Sequence, residues 1–256
     1  KGLTSYSTMH FGSGSDTVSL TTSTTSSRCD YNVIDLGAGD NKLSVTGRYR
    51  YGAITAENGN NTVSINPSST AFTTSSLTVG NGNNSIALGS TSSSTVSLGH
   101  GKNTVAISTL SQSLLNGGDG GNKIDINSFV TSTVTLGMGQ DVVTAATLNG
   151  SAATPSEFNL GGGSDSFVVS TSATNSNIRM GAGDDTVSFG TSAKAVTSIS
   201  NVAVDLGDGV NKLSVYAEKS TAANSLTVSG AVSGDSAMTF GTGADKLTFS
   251  NATLTS

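Results

Sequence analysis

The chain has 256 residues, of which only 11% are charged, with 32 glycines and a net charge of −5. So little basic charge excludes a nucleic-acid binder, which must neutralise phosphates with Lys and Arg, and the single cysteine, Cys29, excludes a disulfide framework or a cysteine-rich metal site and reads as inert. No apolar run reaches the roughly 18 residues of a membrane-spanning helix, and the chain opens at Lys1 without the pattern of a signal peptide, as a processed chain or a part of a longer one would.

The first element, MHFGSGSDTVSL at 9–20, sets a pattern: apolar–x–apolar, Gly–x–Gly, one residue, Asp, then x–apolar–x–apolar. The pattern returns at 34–45, 54–65, 77–88, 96–107, 115–126, 134–145, 158–169, 178–189, 204–215 and 238–249, with a degenerate copy, VSGDSAMTF, at 232–240. Two copies deviate, with Glu57 in place of the first glycine and Gly117 in place of an apolar residue. The position after the turn is held by Asp16, Asn41, Asn61, Asn84, Asn103, Asn122, Asp141, Asp165, Asp185, Asn211 and Asp245. Strict alternation with β-branched enrichment on both flanks predicts half-buried strands, and helical periodicity is found nowhere. Each unit is therefore strand, glycine turn, strand and a second turn rich in Ser and Thr and variable in length. Pro67 and Pro155 fall in that second turn, where no ladder bond need be donated.

A two-stranded unit cannot bury its apolar face alone, whereas stacked units can. The fold expected is all-β: a parallel β-roll, a right-handed β-solenoid of about eleven two-stranded coils in one domain over 1–256. At about 4.8 Å per coil the stack would be roughly 50 Å long. Equally spaced identical turns favour this over a β-sandwich with hairpin turns.

Glycines two apart let the backbone take positive φ and let turns approach closely, which aims their carbonyls into the gap between coils. A carboxylate two residues on completes an oxygen cage suited to Ca²⁺. The pattern resembles the nonapeptide repeat of RTX proteins, G-G-x-G-x-D-x-U-x, whose parallel roll binds calcium between turns. The resemblance covers most of the chain and departs in two ways. One edge carries Ser/Thr loops instead of glycine turns, as in the one-sided repeats of long bacterial adhesins, and the first glycine of the nonapeptide is replaced by Leu36, Leu98, Leu136, Leu160 and Leu206. Asn41 to Asn122 supply no charge, and His100 and Lys102 repel a cation, so that stretch is expected to stack as an Asn ladder. The metal candidates are Asp141, Asp165 and Asp185 with Gly137, Gly139, Gly161, Gly163, Gly181 and Gly183, and then the end positions Asp16 and Asp245; Asp184 should point outward. The same Asp and Asn residues also suit simple capping of tight turns.

Other motifs carry less. GHGKNT at 99–104 lacks the upstream glycine and the Ser or Thr of a phosphate loop, LGGGSDSF lacks the glycine that a nucleophile elbow needs after Ser164, and His10 and His100 lie in no zinc-protease pattern. GRYRYG at 47–52 reads as an exposed strand with stacked side chains. No catalytic function is expected. The resemblance implies a secreted, self-assembling structural protein of the bacterial cell surface: an S-layer, filament or adhesin stalk that forms a homo-oligomeric lattice or filament, with a cell-surface polysaccharide as a candidate partner. The alternatives are the non-catalytic RTX roll of a secreted enzyme and an ice- or ligand-binding adhesin repeat. Ice binding is disfavoured by the mixed residues between the glycines, such as His100, Met138 and Asp208.

Overall fold

In the computed structural model, residues 6–21, 28–233 and 235–254 are described. They form 24 strands and no helix, and the chain makes about 11 turns of a parallel β-solenoid. It divides into two compact units, Lys1–Ile124 and Asp125–Ser256.

In the first unit the strands that lead into the glycine turns pair in parallel, placing Met9, Ile34, Ile54, Leu77, Val96 and Leu115 in one column. The strands that leave the turns place Val18, Leu43, Val63, Ile86 and Val105 in a second. The second unit repeats the plan, with Val134, Phe158, Ile178, Val204, Val228 and Phe249 in one column and Val143, Phe167, Val187 and Leu213 in the other. Because side chains alternate across a strand, every second residue joins the core. Phe158 lies 4.3 Å from Phe129 and 4.7 Å from Phe167, centroid to centroid, and each such buried ring stabilises the fold by about 1.5–3 kcal/mol.

The Ser/Thr edge differs from expectation. Segments such as 90–92 and 109–111 are paired strand rather than loop, and they contribute a third inward column. In the first unit it contains Cys29, Tyr49, Phe72, Thr91 and Leu110; in the second, Leu148, Ala173 and Ile199. All of these are buried. What remains as turn is a tight corner: one residue at positive φ (Thr74, Ser93, Gln112, Thr131, Asn175) followed by a buried serine (Ser75, Ser94, Ser113, Ser132, Ser176). Ser94 Oγ donates to Ser92 O at 2.8 Å and accepts the N–H of Ser75 at 3.1 Å, so each serine closes its own corner and joins it to the neighbouring coil. Longer insertions persist at 150–155 and 218–224. Pro67 sits inside strand Thr62–Thr73, between Ile65 and Thr70, where the pairing to the next coil skips residues. No ladder bond is demanded of it there.

Candidate functional site

The glycine turns come in two forms. In one form the first glycine takes positive φ, as at Gly37 (+67°), Gly161 (+91°), Gly181 (+100°) and Gly207 (+69°), and a Cβ on Gly181 would lie 1.8 Å from Gly161 O. Only glycine permits that approach. The residue between the glycines then donates to the turn before it, Ala182 N to Gly161 O at 3.1 Å. At Gly80, Gly99 and Gly118 the first glycine is not at positive φ, and a side chain takes the same N–H instead, an Asn in the first two: Asn81 N donates to Asn58 Oδ1 at 2.9 Å and His100 N to Asn81 Oδ1 at 2.8 Å. This second form explains Glu57, because the position it fills needs no glycine conformation.

Behind the turns of each unit runs a buried column of Asn and Asp. In the first unit Asp16 N donates to Asn41 Oδ1 (3.0 Å), Asn41 N to Asn61 Oδ1 (3.2 Å), Asn61 N to Asn84 Oδ1 (3.0 Å) and Asn84 N to Asn103 Oδ1 (3.1 Å). The amide nitrogens turn to the carbonyls of their own turns: Asn84 Nδ2 reaches Gly80 O at 3.0 Å and Gly82 O at 3.1 Å, and Asn103 Nδ2 reaches Gly99 O at 3.0 Å. Every Asn thus accepts with one branch and donates with the other, which satisfies a buried amide.

The second unit keeps the accepting branch and loses the donating one. Asp141 N donates to Asp165 Oδ1, Asp165 N to Asp185 Oδ1 and Asp185 N to Asn211 Oδ1, each at 2.8 Å. The three carboxylates are at most 2% exposed. With Oδ1 placed as in the Asn coils, Oδ2 takes the branch that Nδ2 occupies there, and the Oδ2 atoms of Asp165 and Asp185 are buried without a hydrogen-bond partner. Burial pushes the Asp165 carboxyl up to about 7, with the charges of Asp141 and Asp185 adding to the rise and the Asp141 N–H opposing it. Burial also raises Asp185, and the Asp184 charge adds to the effect. A donorless buried carboxylate calls for a proton or a cation. The donors on offer, carboxylate and main-chain carbonyl oxygens, suit a hard cation such as Ca²⁺. Among the described residues no three His, Cys, Asp or Glu side chains converge on one point. A cation between coils would therefore draw on turn carbonyls of Gly137, Gly139, Gly161, Gly163, Gly181 and Gly183 beside the carboxylates.

The other expected positions separate from this trio. Asp16 lies in the first unit, half-exposed above Asn41. Asp184 is exposed, as parity requires, and its Oδ1 accepts the Val210 N–H at 2.8 Å. Asp245 is not in the glycine-edge column at all. Its turn stacks on residues 220–224 of the opposite edge, where a Cβ on Gly241 would lie 2.0 Å from Ser220 O and one on Gly243 2.1 Å from Ala222 O. Asn224 donates to Asp245 Oδ1 through both N and Nδ2, at 2.9 and 2.7 Å. The displacement has a cause. The degenerate copy at 232–240, whose Gly234 lies outside the described residues, takes the glycine-edge place, with Ser233 N bonded to Asn211 O at 2.8 Å, so the 238–249 copy falls half a coil later. Asn224 was not among the expected residues. Its signal is Ser220–x–Ala222–x–Asn224, the turn spacing with small residues in place of the glycines.

GRYRYG is only partly exposed. Tyr49 is fully buried and its hydroxyl donates to Asn32 O and Ala53 O. Arg50 holds Asp30 through Nε and Nη2, and Tyr51 stacks on Tyr31, which stacks on Tyr6. Beside the glycine turns, His100 Nδ1 accepts the Asp119 N–H at 3.1 Å. Cys29 is fully buried, and burial raises its thiol pKa, which keeps it protonated. No protein-family model, curated protein or solved structure matches the chain.

Proposed function

We propose that the chain is a structural repeat module of a bacterial cell-surface assembly, an S-layer, filament or adhesin stalk, in which Ca²⁺ locks the turns around Asp141, Asp165 and Asp185. One observation carries the reading: Asp165 Oδ2 and Asp185 Oδ2 are buried without donors, at the turn position where the Asn residues of the first unit satisfy themselves. A bound cation supplies the charge that the missing donors do not, and extracellular calcium modules bind at about 10⁻⁴–10⁻³ M. The RTX-like spacing of the turns supports the same ion. Low charge and in-register coils suit extended assembly with other copies.

Electron microscopy of the purified chain in millimolar calcium and in excess chelator tests the proposal. Ordered sheets or filaments that dissolve on chelation are expected. Dispersed particles under both conditions would contradict the assembly reading.

A further inference from the structure

On the outer face of the second unit lies a groove of about 310 Å³. Its floor is the outward row of three parallel strands: Asn177 and Arg179, then Ala203 and Asp205, then Thr227 and Ser229. One wall is Ser250–Asn251, lifted where strand Lys246–Leu254 carries an extra residue between its pairings to Val228 and Gly230. Asn251 holds that bulge at φ +53°. Bulges of this kind re-aim side chains beside sites.

The polar groups are fixed before any ligand arrives. Arg179 and Asp205 are register partners, yet the guanidinium turns away to Glu157, with Nη1 to Oε2 at 2.8 Å, and Asn177 Nδ2 holds the other oxygen of Glu157 at 2.6 Å. Asp205 accepts from Ser229 Oγ at 3.0 Å and from Gly207 N at 3.3 Å, both on Oδ1. That leaves Nε and Nη2 of Arg179 as donors and Oδ2 of Asp205 as an acceptor, on neighbouring strands. Only Ala203 among the floor side chains is apolar, so an apolar ligand gains little. Glu157, Arg179 and Asp205 together carry one net negative charge, which disfavours anions. A donor and an acceptor fixed side by side on a polar floor match the vicinal hydroxyls of a neutral, polyhydroxylated ligand, and the volume lies at the small end of ligand sites.

We propose that this groove binds a neutral sugar unit of a polysaccharide, with Arg179 donating and Asp205 accepting at adjacent ring hydroxyls. The inference stands apart from calcium and assembly, because neither Arg179 nor Asp205 belongs to the buried column.

The test is saturation-transfer NMR on the whole chain with glucose, galactose, mannose and N-acetylglucosamine as separate probes. Transfer to at least one sugar is expected, and its affinity should fall about tenfold in Arg179→Gln and in Asp205→Asn, as loss of one charge-assisted hydrogen bond implies. Thr227→Tyr, which fills the groove and leaves both charged groups in place, should abolish it. Circular dichroism confirms that each variant folds. No transfer to any of the four sugars, or transfer unchanged in all the folded variants, would overturn the proposal.

Discussion

The main-chain N–H of Asp165 donates to Asp185 Oδ1 at 2.8 Å, the same bond that Asn61 makes to Asn84 at 3.0 Å in the first unit. The backbone reads Asp and Asn alike; only the second side-chain atom tells them apart. Where that atom is nitrogen it closes on the turn carbonyls, and where it is oxygen the turn is left with a surplus of acceptors.

The surplus makes stability depend on pH. Asp165 keeps its proton up to about 7 in the folded chain, whereas an ordinary Asp gives it up near about 3.9. Between those values the folded state binds more protons than the unfolded one, so its stability is full below about pH 4 and falls as pH rises towards 7. In chelator, Tm should be higher at pH 5 than at pH 8. Saturating calcium, which competes with the proton, should flatten or reverse the slope. A chelated protein that gains stability over this window would contradict the assignment.

The converse substitution belongs in the first unit. Asn84→Asp removes the donor that serves Gly80 O, Gly82 O and Asn103 Oδ1 and buries a charge there. Urea unfolding should show a loss of at least about 2 kcal/mol. A loss under about 0.5 kcal/mol would mean that the Asn ladder contributes little.

Gly181→Ala sets a Cβ against Gly161 O at a positive φ. The gap between these turns must open, at a cost of about 2–4 kcal/mol. Hydrogen exchange across 161–185 should accelerate in the variant, and unchanged protection there would show that the turns have room to spare.

On the opposite edge, Tyr31 stacks on both Tyr6 and Tyr51, at 4.7 and 4.9 Å, with its backbone at φ +56°. Tyr31→Ala should lose about 1–2 kcal/mol from the two stacks. Tyr31→Asn should lose less, because Asn tolerates the left-handed conformation. Equal losses in a thermal melt would argue that stacking alone matters.

The columns flanking the glycine turns were legible in the sequence because Val, Leu, Ile and Phe recur there with period two. The third column was not: Cys29, Tyr49, Phe72, Thr91 and Leu110 share a register but no chemistry, and the Ser/Thr around them reads as loop. A fixed spacing, with Ser75, Ser94 and Ser113 each two residues before Leu77, Val96 and Leu115, marks the corner in retrospect. The Asp trio was legible as a run of stacked carboxylates, but the feature that singles it out, an oxygen lacking the bonds that Asn makes, emerges only once Oδ1 is seen to be taken. Asp245 misled because its local motif is intact while its phase in the coil is set by the degenerate copy before it.

The most direct measurement is calorimetric titration of calcium into the wild-type chain and into the Asp165→Asn/Asp185→Asn double variant, with melts in calcium and in chelator. The wild type should bind calcium and gain Tm from it. The double variant, with its donors restored, should lose that gain and melt higher than wild type in chelator, by about 1–3 kcal/mol of stability for each oxygen satisfied. A double variant that binds calcium as the wild type does, or that melts lower in chelator, would contradict the claim that these buried oxygens make the site.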